Sequence, residues 1–267
     1  MKCVVHCGSP FTGRVHVWRI PLNSLYNSLN ECRAILCTDE EQRARRFRFE
    51  RARKRFIATH AATRRVLAEY LECDPTRLIF EYGANGKPRI RQSDNAMDLE
   101  FNLSQSGDYA LLAVASKLSL GIDVEAVTSA FATQEIANLF FSPDEVKSLL
   151  ALPKEQRAEA FFCCWTRKEA YIKAKGGGLS IRLDSFSVTL HPDMRAALLR
   201  AADEPNGPNR WSIYDIQIDP NYKAALVVEG EGHTIFQFDL VPAHLDRLNK
   251  SIGTLIFMPQ DPVAQPS

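Results

Sequence analysis

The sequence predicts an α+β fold of two similar halves in a pseudo-twofold arrangement, each half a long helix packed on a small antiparallel sheet. Three observations predict it. Two long helical patterns run from Gln42 to about Glu72 and from about Gln156 to Lys175. They carry related basic segments, Arg53-Lys54-Arg55-Phe56-Ile57 and Arg167-Lys168-Glu169-Ala170-Tyr171-Ile172-Lys173. Each is followed by a similar strand pattern, at 109–114 and 222–228. Two related halves joined near 116–119 follow from this echo, and a cleft between them is the natural place for a ligand. The expected division is 1–117, 118–250 and a loose, Pro-rich tail at 251–267.

In chain order, residues 13–20 alternate as a strand. Thr38-Asp39-Glu40-Glu41 supplies an N-cap and first-turn acids for the first long helix, and Asp74-Pro75 ends it. Residues 78–82 and 88–90 flank Asn85-Gly86, a hairpin-turn dipeptide. Further strands are expected at 101–104, 109–116 and 120–125, and short helices at 133–140 and 143–150. The second long helix ends at Gly176-Gly177-Gly178, a C-cap. Strands at 186–190, 211–218 and 222–229 complete the pattern.

The chain has 267 residues, 45% of them hydrophobic, and a formal net charge of +1. Bulk charge therefore does not make it a polyanion binder, and any basic site is local. No apolar run is long enough to span a membrane, and the N-terminus has no secretory pattern. Seven cysteines, an odd number with no CxxC pair, argue against a disulfide framework or zinc site and for a reducing cytoplasm.

Asp123 and Glu125 stand two apart on a short strand, so their carboxylates leave the same face. Such a pair either surfaces at a strand end or holds a hard cation such as Mg²⁺ between its oxygens. Trp165, Glu169 and Lys173 follow at helical spacing. Alone they read as a packed Trp beside a surface Glu–Lys pair. Joined to Asp123 and Glu125 they give a third carboxylate, a base and a cation for a leaving phosphate. The first helix is dense in arginine from Arg43 to Arg65, with Phe47, Phe56 and Val66 free to turn inward. Its cations serve either as a solvated face or as phosphate grips. Cys163 and Cys164 read as small core residues.

The ordered motifs resemble the 4′-phosphopantetheinyl transferases, specifically the larger surfactin-synthetase-activating (Sfp-type) class. They are Gly86-Lys87-Pro88, Phe101-Asn102-Leu103-Ser104-Gln105-Ser106-Gly107, Gly121-Ile122-Asp123-Val124-Glu125, the Trp165–Lys173 helix, Gly176-Gly177-Gly178-Leu179-Ser180 and Asp184-Ser185-Phe186-Ser187-Val188. The likeness spans most of residues 38–229. It implies that family's fold and an Mg²⁺-dependent reaction, with Mn²⁺ as a substitute. Coenzyme A is the implied substrate. Its phosphopantetheine passes to a serine of an apo acyl or peptidyl carrier protein, releasing 3′,5′-ADP. A cytoplasmic monomer that binds neither nucleic acid nor membrane is implied.

The resemblance also assigns roles. Asp123, Glu125 and Glu169 are the implied metal ligands. Glu169 takes the serine proton, and Lys173 steadies the pyrophosphate and the leaving phosphate. Arg43, Arg55, Lys87, Ser104, Gln105 and Lys168 are implied at coenzyme A. Two positions depart from the pattern. Gln105 stands where histidine usually follows the serine, and it cannot carry that charge. Glu40 stands where a phosphate-binding lysine is often found, with Arg43 or another arginine as substitute. The stretch 127–141, with Phe131, Ile136, Leu139, Phe140 and Phe141, is either core or an apolar surface for the carrier helix. Two other readings remain: a nucleic-acid-binding module using the basic helix, and a relative that binds coenzyme A or carrier without catalysis.

Overall fold

Strand alternation decides how this chain stacks. The computed structural model describes residues 13–83 and 85–240. The tail expected at 251–267 lies outside the described residues, as do Cys3 and Cys7. Strand β1 (Arg14–Pro21) leads through helix α1 (Leu29–Ala34) to α2 (Thr38–Arg46) and α3 (Glu50–Leu71). The hairpin β2 (Phe80–Tyr82) and β3 (Pro88–Ile90) precedes β4 (Leu99–Ser106), β5 (Tyr109–Ser116) and β6 (Leu120–Ala126). Then come α4 (Gln134–Phe140), α5 (Pro143–Ala151), α6 (Lys154–Lys175), β7 (Phe186–Val188), β8 (Leu198–Ala201) and α7 (Gly207–Arg210). Strands β9 (Trp211–Asp215), β10 (Tyr222–Glu229) and β11 (Thr234–Asp239) end the described chain.

The main strands form two sheets, ordered β11-β1-β5-β4 and β6-β10-β9. Pairing is antiparallel except between β1 and β11, which run parallel. On β5 the side chains of Ala110, Leu112 and Val114 face one way, with Trp18 and Ile20 of β1, and pack on the apolar face of α3. The alternate residues Leu111, Ala113 and Ala115 join Val15 and Val17 in a second core. That core is completed by Leu120, Ile122 and Val124 of β6 and by Ala224, Leu226 and Val228 of β10. The other face of β10, Ala225 and Val227, packs beneath α6 with Phe161, Phe162 and Ala170. The period of two along each strand thus yields four layers: α3, first sheet, second sheet, α6.

This is the α+β architecture expected, with each long helix on one small sheet. Several features differ in detail, among them α1, β8 and α7, which were not expected. The first long helix is two helices, because Phe47 and Phe49 adopt extended backbone between α2 and α3. No Gly or Pro marks that break. Its cap is at Cys37, whose N–H donates to the Glu40 carboxylate. Strand β11 was not expected, and it returns to the first sheet rather than staying with its chain neighbours. Phe56 and Val66 are buried as anticipated, but Phe47 is largely exposed and rests against the Phe56 ring.

Glu40 has a structural role that its position does not advertise. It is 1% exposed and accepts from Arg64 Nε at 2.6 Å, and His60 Nδ1 lies 3.2 Å away. Arg64, equally buried, also donates to the carbonyls of Pro75 and Leu78. Burial alone would raise the Glu40 pKa. The bonds from His60, Arg64 and the Cys37 N–H outweigh it and bring the carboxyl down from 4.5 to about 2. A depressed carboxyl stabilises the fold above its unfolded value, and that contribution fades as pH falls toward the folded value. Glu40→Gln should therefore cost about 3–5 kcal/mol at neutral pH, because it strands the buried Arg64 charge. Urea denaturation should show the gap between variant and parent closing as pH drops from 4.5 toward 2.

Candidate active site

Strand β6 sends Leu120, Ile122 and Val124 into the inter-sheet core. Its alternate residues Gly121, Asp123 and Glu125 therefore face the opposite way, toward α6. Glycine is required first in that row. A Cβ at Gly121 would sit 2.2 Å from the Ala170 carbonyl and 2.3 Å from the Ala174 nitrogen. Helix α6 thus lies directly on the β6 backbone, one turn past Glu169 and beside Lys173. The close approach carries Glu169 and Lys173 to the two strand carboxylates.

The first sheet reaches the same strand by an unusual seam. Along β4 the side chains of Asn102, Ser104 and Ser106 accept from the β6 N–H groups of Ile122, Val124 and Ala126, at 2.8, 3.4 and 3.1 Å. Side chains at every second residue stand in for a backbone ladder. The two hydroxyls also donate: Ser104 Oγ to Asp123 Oδ1 at 2.8 Å, and Ser106 Oγ to Glu125 Oε2 at 2.7 Å. Each serine is thus a rung between the sheets and a bracket for one carboxylate.

Lys173 Nζ donates to Asp123 Oδ1 at 2.6 Å, to Ser104 Oγ at 3.0 Å and to the Ile122 carbonyl at 3.2 Å. Asp123 is 3% exposed, and its other oxygen, Oδ2, is buried without a hydrogen-bond partner. Burial, with the Asp123 charge nearby, holds the Glu169 carboxyl above the usual carboxylate range, against the pull of Lys173. Burial likewise raises Glu125, reinforced by Asp123 and Glu169 and opposed by the Ser106 bond and Lys173. Three carboxyls in electrostatic contact, two of them reluctant to ionise, make a site short of positive charge. As placed, no three acidic, His or Cys side chains among the described residues close around a metal position. The donor chemistry nevertheless fits a hard divalent cation: all oxygen, densely acidic, with one buried carboxylate oxygen unbonded.

The other expected residues divide. Lys87 sits at the seam, but its Nζ donates to the backbone carbonyls of Leu120 and Lys173, at 2.8 and 3.0 Å. It ties the β2–β3 hairpin to both carboxylate-bearing elements, and burial lowers its pKa. Asn85 adds a bond to the Gly176 carbonyl at 2.8 Å. A cavity of about 630 Å³ opens here, walled by Lys87, Asn102, Glu169 and Lys173 on its polar side and by Leu139, Phe140, Ile172 and Leu183 on its apolar side. Gln105 is exposed, its amide oxygen accepting from Thr59 on α3 at 2.6 Å. Arg55 makes one long contact, 3.4 Å, to Asp108, and its Nε is buried without a partner. Arg43 is held over the Phe56 and Tyr82 rings and bonds the Tyr82 hydroxyl.

Lys168, expected at coenzyme A, does not line the cavity. It is fully buried, 2.8 Å from Glu145 and bonded to the Phe186 carbonyl, on the core side of α6. A helix turns each residue about 100° from the last, so Lys168 and Glu169 cannot share a face. Nor is Glu40 a phosphate position, since Arg64 consumes it. Several other members of the basic stretch are paired: Arg45 with Glu41, Lys54 with Glu50, and Arg51 with Asp108. Cys163 and Cys164 are buried, and burial pushes both thiols up, Cys163 to about 11, which disqualifies them as nucleophiles. Trp165 packs among Phe131, Phe140 and Phe161. In the 127–141 stretch, Ala137 and Phe141 are buried, while Phe131, Leu139 and Phe140 are exposed. Ser106 and Gly121 lay within the quoted motifs but were given no role. The matching period of two in Asn102-x-Ser104-x-Ser106 and in β6 was the available signal.

Two family models match consecutive stretches of the chain: one described as 4′-phosphopantetheinyl transferase, N-terminal, over residues 23–117, and one described as 4′-phosphopantetheinyl transferase superfamily, over 119–227. The chain is 38% identical to the 4′-phosphopantetheinyl transferase HetI of Nostoc sp. over 218 residues, which is 82% of this chain and 89% of that protein. It is 30% identical to the 4′-phosphopantetheinyl transferase Sfp of Bacillus subtilis over 215 residues, 80% of this chain and 90% of that one. A solved holo-[acyl-carrier-protein] synthase of Thermotoga maritima matches 54% of this chain and 84% of its own at 18% identity and a TM-score of 0.33, a likeness too slight to bear on the fold.

The close contact at Gly121 generates a prediction. Gly121→Ala should destabilise by about 1–3 kcal/mol through overpacking, since the colliding atoms are helix backbone that cannot rotate away. Chemical denaturation would measure it; an unchanged midpoint would mean that α6 does not sit on β6 as described.

Proposed function

The chain belongs to the 4′-phosphopantetheinyl transferase superfamily, in its Sfp-like class, and we propose that it moves the 4′-phosphopantetheine of coenzyme A onto a serine of apo acyl or peptidyl carrier proteins, releasing 3′,5′-ADP. One observation carries the reading: Asp123, Glu125, Glu169 and Lys173 converge on the seam between the halves, with one buried carboxylate oxygen unpartnered.

Asp123, Glu125 and Glu169 would hold a divalent cation, Mg²⁺ or Mn²⁺. Bound there, it supplies charge neutralisation and alignment for the pyrophosphate of coenzyme A. The chain's own residues carry the rest. Glu169 accepts the proton of the carrier serine as its oxygen bonds to the phosphorus on the pantetheine side. The bond from that phosphorus to the bridging pyrophosphate oxygen breaks. Lys173 stabilises the charge that arrives on the leaving phosphate of 3′,5′-ADP. Arg55, whose buried Nε has no partner, and Arg43 are suited to the nucleotide phosphates. We assign coenzyme A contacts chiefly to residues 1–117 and the acidic chemistry to 118–250, in a monomer acting in the cytoplasm. The exposed Phe131, Leu139 and Phe140 beside the cavity suit an apolar carrier helix. A nucleic-acid module would leave the acidic seam without a purpose, since it repels phosphate in the absence of a cation.

Incubation with coenzyme A, Mg²⁺ and a panel of apo carriers should add one phosphopantetheine to the carrier, read as a mass gain. No gain on any carrier would leave only a binding role. Asp123→Ala should abolish transfer with an unchanged circular dichroism spectrum. Glu169→Gln should lower kcat by roughly 10²–10⁴-fold, as expected for loss of a general base. The sign of a pH effect also follows. Raised carboxyls make the folded state bind protons more tightly, so Glu125 and Glu169 subtract stability as pH rises above their ordinary range. A divalent cation relieves that cost, so Mg²⁺ should raise Tm more at pH 8 than at pH 5. An equal shift at both would argue against those ligands.

A further inference from the structure

We propose that the Lys173 ammonium is the resident cation of the acidic seam and must leave Asp123 before a divalent ion can enter, so that lysine and metal exchange. This deepens the divalent-cation reading and rests on it. The geometry is specific. An ammonium has three donors, and Lys173 directs them at Asp123 Oδ1, Ser104 Oγ and the Ile122 carbonyl. It therefore occupies one of the two oxygens of a carboxylate that is 3% exposed, at the point where Glu125 and Glu169 also converge. The second oxygen of Asp123 is left buried and unbonded, so one monovalent group only half satisfies the site.

A divalent ion joining that carboxylate would meet a positive charge already in contact with it, and the two repel strongly at such a distance in a partly dry site. Lys173 is able to move. Its side chain is 27% exposed, in the wall of the cavity, on a flexible four-carbon stem. An anionic pyrophosphate entering the cavity offers the ammonium a new partner. Substrate and metal then favour one another, and by linkage each tightens the other to the same degree. Metal affinity would thereby be kept low until substrate is present.

The test is Mn²⁺ binding by titration calorimetry without coenzyme A, on the full chain at one pH. Lys173→Met should bind Mn²⁺ at least about tenfold more tightly than the parent, because the competing charge is gone. Lys175→Met removes the same charge from the same helix, but Lys175 pairs with Asp203 and Glu204 instead. That variant should bind as the parent does. Equal or weaker binding by Lys173→Met, in a protein of unchanged circular dichroism, overturns the exchange. So does an equal gain in Lys175→Met, which would reduce the effect to overall charge. Absence of binding in parent and variant alike, even with coenzyme A present, overturns the metal reading itself and the exchange with it. Ordinary binding that survives Asp123→Asn refutes the site but not the ion.

Discussion

The seam between β4 and β6 is the interaction on which the rest of the molecule depends. Two strands that lie side by side would normally exchange backbone hydrogen bonds. Here Asn102, Ser104 and Ser106 supply the acceptors for one of them, and the sheets are stitched through side chains. Because the same serines hold Asp123 and Glu125, the bonds that join the halves also aim the acids. Backbone amides that would be stranded at a sheet edge are satisfied, and a reactive cluster is fixed in the same stroke. Folding and chemistry therefore share the serine contacts here. A change that loosens the sheets loosens the acids, and the hydroxyls cannot be replaced by alanine without leaving buried N–H groups unmet.

The charges obey one rule with two outcomes. Away from the seam, three buried cations each face a carboxylate: Arg64 faces Glu40, Arg167 faces Asp215, and Lys168 faces Glu145. Removal of either member would strand its partner, so these pairs act as fixed joints that lock helices to their surroundings. At the seam the balance is broken on purpose of geometry, with three carboxyls facing one lysine and one oxygen left over. A near-neutral chain thus gathers three carboxyls around a single lysine at this seam. In the arginine-rich region, which the sequence leaves open as a solvated face or a phosphate grip, Arg43, Arg45, Arg51 and Arg64 are held by acids or aromatic rings.

Much of this was legible in the sequence. The period of two gave the strands, Gly176 gave the end of α6, and the i, i+2 and i, i+4 spacings put Asp123, Glu125, Glu169 and Lys173 on facing surfaces. What escaped was whatever depends on partners distant in sequence. Lys168 sits beside Glu169 in a motif, and adjacency hides the turn that sends it into the core toward Glu145. Glu40 looked like a lost lysine because Arg64, its partner, is 24 positions away. The break at Phe47–Phe49 has no Gly or Pro, and it arises where extended backbone at the two aromatics joins α2 to α3. Lys87 follows a hairpin turn, and nothing local shows that its ammonium meets the carbonyls of Leu120 and Lys173.

Strand β11 lies parallel to β1, with Arg14 opposite Thr234 and Arg19 bonded to Asp239. The outer edge of the first sheet is therefore supplied by residues made more than two hundred positions later. During synthesis β1 emerges without its parallel neighbour, and the first sheet stays incomplete until residues 234–239 are made. The ribosome delivers the two halves in order, but closure waits for β11, giving the early chain an exposed edge that invites wrong partners.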